Sequence, residues 1–246
     1  MPQYDLYRLR PGLISLLLAG LITGILAPAS VAFAGKGNKS GVLGYVPTFF
    51  FDTQFGFATH KSKMVVSNDT GTGLAYGLGG WAGEDRDYGF KVNTDTSSTT
   101  FELNSSSVAV TWQDTIIRYR MWFFYLGVNF ASVNMVANNA GTDQVDAGGN
   151  GMGGNAGILV PVGRSSIFYL DVVSAAMSAT RNALTDEVAF GSRLDIDAGG
   201  SIDITKEAFD FLMGYRMRTY DLSVAGTSYA EAYNITYFGV RMALFF

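Results

Sequence analysis

Two groups of residues in this chain have types and spacings that could do chemistry. His60 and Ser62 stand two positions apart, and His60 is the single histidine among 246 residues. An imidazole beside a hydroxyl is the start of a base–nucleophile pair, but such a pair needs a third group to orient it. No orienting group is visible near it in the sequence, so His60 and Ser62 are catalytic candidates on spacing alone. The second group is ionic: Asp195, Asp197, Asp203, Asp210, Arg216, Arg218 and Arg241. They fall on alternate positions of three consecutive segments, which places them on one face if those segments are strands. Charges on the inner face of a closed sheet can line a polar pore. They can equally pair and fill the interior, because a buried charge needs a partner. With no Cys and one His, neither a disulfide nor a metal site is expected, nor is any cofactor.

The elements that must position these residues alternate with period two, the signature of strands. The spacing predicts strands over 44–58, 73–82, 88–95, 101–120, 122–136, 152–162, 166–178, 193–205, 208–220 and 237–246. Phe49, Phe51, Phe55 and Phe57 oppose Asp52, Gln54 and Gly56 in the first; Leu194, Ile196, Ile202 and Ile204 oppose Arg193, Asp195, Asp197 and Asp203 in the eighth. In 101–120 the apolar parity slips between Trp112 and Ile117. A β-bulge near Gln113 would absorb the change of face; otherwise a hairpin falls there and the count changes. The polar stretches 60–73, 96–100, 138–150, 179–192 and 221–229 read as loops, and 163–165 and 206–207 as short turns. Ten strands result, with eight as the alternative.

The segment from Tyr237 to Phe246 carries the clearest pattern. Phe238, Val240, Met242, Leu244 and Phe246 form one apolar face, against Tyr237, Gly239, Arg241, Ala243 and Phe245. Here the chain resembles the small outer-membrane β-barrel proteins of Gram-negative bacteria, porin-like and OmpA/OmpW-like. The resemblance implies a single closed antiparallel transmembrane barrel over 35–246, with short periplasmic turns and longer extracellular loops. It also implies that Tyr237, Met242, Leu244 and Phe246 serve as the signal for the barrel-assembly machinery. The His60–Ser62 pair is similar, in those two residues alone, to the His-x-Ser pair of outer-membrane enzymes that deacylate lipid A.

The amino-terminal residues agree with export. Arg8 and Arg10 precede an apolar run from Leu13 to Ala27, and Ala32-Phe33-Ala34 offers small residues for cleavage, so residues 1–34 read as a signal peptide. Its removal takes Arg8, Arg10 and Asp5 and moves the net charge from −4 to about −5. That balance argues against nucleic acid as a partner. Of the aromatic residues Tyr45, Trp81, Trp112, Trp122, Tyr215 and Tyr237, several sit near strand ends and read as interfacial girdle residues, with a carbohydrate platform as the alternative. The expected protein is non-enzymatic, with a narrow polar lumen. Its role would be structural, surface display or small-solute passage, and its partners outer-membrane lipid or lipopolysaccharide and an unidentified extracellular ligand of its loops. An outer-membrane enzyme acting on lipid A or another envelope substrate is the alternative.

Overall fold

A computed structural model describes residues 47, 49–63, 67–82, 87–101, 106–139, 142–162, 166–182, 188–204, 209–224 and 226–244. The proposed signal peptide, Tyr45 and Phe246 lie outside the described residues. Ten strands follow one another: β1 (Phe49–Ser62), β2 (Ser67–Ala82), β3 (Tyr88–Phe101), β4 (Ser106–Met121), β5 (Phe124–Asn139), β6 (Thr142–Val162), β7 (Ser166–Asn182), β8 (Val188–Asp203), β9 (Phe209–Val224) and β10 (Thr227–Leu244). Each pairs antiparallel with its neighbours in sequence, and β1 pairs with β10, which closes a barrel. Closure leaves no strand edge exposed.

The register fixes the barrel's dimensions. From Lys61, register partners lead through Ala232, Thr219, Leu194, Ser174, Gly154, Val128, Ile117, Phe90 and Gly80 back to β1 at Phe49, 12 residues below the start. With strands about 4.8 Å apart rising about 3.3 Å per residue, this shift tilts the strands about 40° and sets a wall radius of about 10 Å. Side chains from opposite walls of so narrow a barrel meet in the middle. The end at Phe49 is called the lower rim below, and the end at Ser62 the upper rim.

Alternation sorts the side chains. Outside, Phe51, Phe55, Phe57, Leu74, Tyr76, Leu78, Phe90, Val92, Ile117, Leu126, Val128, Phe130, Met213, Tyr215, Phe238 and Val240 form an exposed apolar belt around the lower part of the wall. At about 2.5 Å of axial rise per tilted residue the belt is roughly 20–25 Å tall, the height of a bilayer's apolar band. Above it the outward positions turn polar: Thr70, Thr72, Thr96, Thr111, Asn134 and Thr219. Tyr88, Tyr119 and Trp122 sit exposed at the lower rim, with Tyr88 and Tyr119 in ring contact at 5.3 Å. Trp122 holds a left-handed φ of 66° in the turn between β4 and β5. Its neighbour Phe123 folds against the outer wall over Ile158 and Val160.

Three sequence expectations change. No bulge interrupts β4 at Gln113: its pairing with β3 and β5 is continuous, and Val108, Val110 and Trp112 face inward with Asp114, Ile116, Arg118 and Arg120. The apparent slip is a change in what fills the barrel, from apolar above to charged below. The polar stretches expected as loops at 60–73, 96–100, 138–150, 179–192 and 221–229 are largely strand. The wall continues above the belt, where both faces of a strand can be polar, so hydropathy loses its alternation while pairing persists. Trp81, Trp112 and Tyr237 are not girdle residues: each is at most 3% exposed, inside the barrel. Tyr215 faces out at mid-belt and Trp122 lies at the lower rim.

Candidate functional site

The interior is the candidate site, and it is built in two layers. The lower layer is ionic. Arg193 grips Asp114 with two hydrogen bonds of 2.8 Å and also holds Asp195. Arg218 donates to both oxygens of Asp195 at 2.8–3.0 Å and lies 3.3 Å from Asp95. Arg216 bonds Asp95, Gln54 at 3.0 Å and Asp197 at 2.7 Å. Tyr237 donates to Asp197 at 2.6 Å and meets the Tyr169 hydroxyl. One chain of contacts therefore crosses the lumen, from β4 through β8, β9, β3 and β10 to β7. A separate fork, Arg241 on Asp52 at 2.7 and 3.0 Å, lies nearer the lower rim. Forked arginine–carboxylate contacts of this kind are the strong geometry for buried charge.

Glycine makes room for the tyrosines in this layer. Tyr125, Tyr169 and Tyr237 each lie across from a glycine on the adjoining strand: Gly157, Gly199 and Gly214. A Cβ on any of the three would collide with the ring above it. The arginines stack on aromatic faces as well. Arg193 and Arg218 lie 4.5 and 5.3 Å from the Trp112 ring, and Arg118 lies 4.5 Å from Trp81 and 4.8 Å from Tyr125.

Above Trp112 the filling is apolar on the side of β4 to β10, while Ser97, Thr99, His60, Ser62 and Glu231 are buried beside β1 and β3. Val108, Val110, Trp112, Val133, Met135, Ala137, Ala147, Phe190, Tyr220, Leu222 and Tyr233 form one buried cluster, with Met177 packed against it. They come from β4, β5, β6, β8, β9 and β10, and Met177 adds β7, so the cluster spans the lumen. Cavities in and below the ionic layer measure about 50, 30 and 10 Å³. A water molecule's share of liquid volume is about 30 Å³, so each of these three cavities has room for no more than one or two waters.

The charged residues singled out in the sequence are placed as follows. Asp195, Asp197, Arg216 and Arg218 belong to the crossing network, and Arg241 to the lower fork. Asp203 and Asp210 face each other as register partners at the lower ends of β8 and β9, partly buried. Sequence reasoning did not include Asp52, Asp95, Asp114, Arg193 and Gln54 in the set. Arg193 lies on the inward parity of β8, and Asp95 shares the inward parity of Asn93. Asp114 was hidden by the mistaken bulge. Of the expected assembly residues, Tyr237 points inward, Met242 outward, and Leu244 lies near the end of β10.

His60 and Ser62 do gain a carboxylate that sequence reasoning missed. Glu231 of β10 accepts from Ser62 Oγ at 3.0 Å and contacts His60 Nε2 at 2.8 Å, and all three are buried. His60 also stacks on Tyr233 at 3.8 Å between centroids. In these two contacts the carboxylate stands between histidine and serine. A hydrolytic triad needs histidine in the middle, where it can take the serine proton. Glu231 also accepts from the backbone N–H of Lys63 at 3.2 Å, so the cluster pins the upper end of β1 to β10. Among the described residues no group of three His, Cys, Asp or Glu side chains is placed to hold a metal ion.

The fold and its filling define a closed ten-stranded antiparallel β-barrel with an apolar exterior belt and a packed interior. No family model and no curated protein matches the chain. Among solved structures it is similar to Neisserial surface protein A, at 13% identity and a TM-score of 0.44 over 80% of this chain and 97% of that one. It is also similar to the transport unit of the autotransporter AIDA-I from Escherichia coli, at 9% identity and a TM-score of 0.45, covering 81% and 90%. The P. putida toluene transporter TodX gives 9% identity and a TM-score of 0.34, covering 89% and 92%.

Proposed function

We propose that this protein is a sealed, non-enzymatic barrel of the bacterial outer membrane, with its lower rim in the periplasm and its upper rim outside the cell. The observation that carries this reading is the two-layer filling: paired charges at membrane depth, topped by an apolar cluster from β4 to β10 and by buried polar side chains beside β1 and β3. The exterior belt supports membrane insertion, since its height matches an apolar bilayer band and all its charges are turned inward. The export reading of residues 1–34 and the pattern of β10 support the outer membrane as the destination and the barrel-assembly machinery as the route. Such a barrel contributes a rigid wall and an outward-facing rim; it does not pass solutes. The order of contacts around Glu231 favours this over catalysis on lipid A.

The test is topology in cells. Epitope tags inserted after Gly226 and within 163–165 should both leave a protein that fractionates with the outer membrane and migrates differently on gels before and after boiling. The first tag should be labelled on intact cells and the second only after permeabilisation. Equal labelling of both, or fractionation elsewhere, would contradict the proposal.

A further inference from the structure

The outer wall carries a dent that the sealed-barrel reading leaves unused. It measures about 430 Å³ and lies across β7, β8, β9, β10 and β1, lined by Leu194, Thr219, Asp221, Ala232, Lys61 and Lys63 among others. Its shape has a local cause. The β8–β9 register shifts between Phe190 and Arg193, so Gly191 and Ser192 together oppose Asp221. A bulge of this kind bends its strand and re-aims the wall beside it. Leu194, Thr219, Ala232 and Lys61 are successive register partners, so the dent is one oblique row of outward positions with a small residue, Ala232, beside the lysine.

Depth and charge point to an occupant. The row stands just above the belt: Phe57, the last aromatic on the outward face of β1, is four residues below Lys61, and Met217 and Tyr215 lie below Thr219. That is the level of lipid headgroups, reached from the side by the membrane itself. Lys61 and Lys63 bring two cations to the β1 end. Two acids line the dent: Asp221, two strands away, accepts a 2.6 Å hydrogen bond from Ser192, and Glu231 is buried against His60 and Ser62 and accepts from the backbone N–H of Lys63. The buried His60–Ser62–Glu231 cluster fixes the backbone that carries both lysines, through the bond from Lys63 N–H to Glu231. Two cations on a pinned backbone beside an aliphatic hollow at headgroup depth suit an anionic amphiphile.

We propose that this dent seats the phosphorylated headgroup of an outer-leaflet glycolipid, with Lys61 and Lys63 on its phosphate and the glycan lying over Ala232 and Thr219. The proposal rests on the outer-membrane reading above and adds to it a site and a lipid class. The test is native mass spectrometry of the full barrel refolded in detergent. The probes are bisphosphorylated lipid A, the same lipid dephosphorylated, and phosphatidylethanolamine. The wild type should retain bisphosphorylated lipid A at least tenfold better than either other lipid. Lys61→Ala with Lys63→Ala should abolish that preference. Ala232→Trp, which fills the hollow and leaves both lysines, should weaken retention by a similar factor. All variants should keep heat-modifiable migration, since the substitutions face outward. Equal retention of phosphorylated and dephosphorylated lipid, or wild-type retention by both variants, would overturn the proposal. So would loss in the lysine variant with full retention in Ala232→Trp, which would mean a surface ion contact without a seat. A barrel that fails to reach the outer membrane in cells but shows the preference in micelles would overturn the location and leave the site standing.

Discussion

Replacing Asp195 by Asn is the most informative single change to the interior. The carboxylate takes hydrogen bonds from Arg193 and Arg218 on both of its oxygens. Asn keeps the shape and removes the charge, so two buried guanidiniums lose the anion they share. Arg193 keeps its fork on Asp114 at 2.8 Å and is partly compensated. Arg218 is left with Asp95 at 3.3 Å, a carboxylate that Arg216 already uses. Removing one partner of a buried ion pair costs about 3–5 kcal/mol. The surviving Asp114 contact puts the expected loss at the lower end, about 3 kcal/mol, or roughly 100-fold in the folded-to-unfolded ratio. Urea unfolding in lipid vesicles, followed by tryptophan fluorescence and gel migration, measures it. Asp221→Asn, on an exposed residue, is the control and should change stability by about 0.5 kcal/mol or less. A loss under about 1 kcal/mol for Asp195→Asn would refute the idea that the crossing network holds the barrel's interior together.

Three further outcomes follow from the geometry. Gly214→Ala should force Tyr237 off Asp197 and lower the unfolding free energy by about 1–3 kcal/mol, the usual cost of overpacking, in the same urea assay; an unchanged midpoint would contradict the seating of the ring. Val128→Arg at mid-belt should cost about 2–4 kcal/mol in vesicle folding, while Thr72→Arg above the belt should cost about 0–1 kcal/mol; equal effects would misplace the membrane. Lipid A from cells overproducing the wild type should have the same mass as lipid A from cells overproducing His60→Ala or Ser62→Ala. A wild-type mass shift lost in either variant would make the Glu231 cluster an active site.

Much of the wall was legible in the sequence because alternation is a local property. The aromatic parity of β1, the Leu/Ile parity of β8 and the apolar face of β10 all lie where period two places them. The network's β8–β10 half was legible for the same reason, since Asp195, Arg216 and Arg218 stand against apolar neighbours. Its other half was not. Asp95 and Asp114 sit on β3 and β4, where the outward face carries Thr94, Thr96, Thr111 and Gln113, so polarity no longer distinguishes the two faces. The apolar cluster was illegible for a related reason. Val108, Val110 and Trp112 are hydrophobic because they fill the lumen, and hydropathy alone assigns such residues to lipid. Glu231 escaped notice because its contacts with His60 and Ser62 join β10 to β1, and only barrel closure makes that pairing.

The seal above the ionic layer decides whether the barrel passes solutes. Planar-bilayer recording of the purified, refolded wild type in about 1 M salt tests it most directly, where surface charge is screened to about 3 Å and cannot hide a pore. The two-layer filling predicts silent membranes over long recordings, with confirmed insertion by protease protection. Stable, reproducible conductance steps from the wild type would contradict it and show that the Trp112 cluster does not close the barrel.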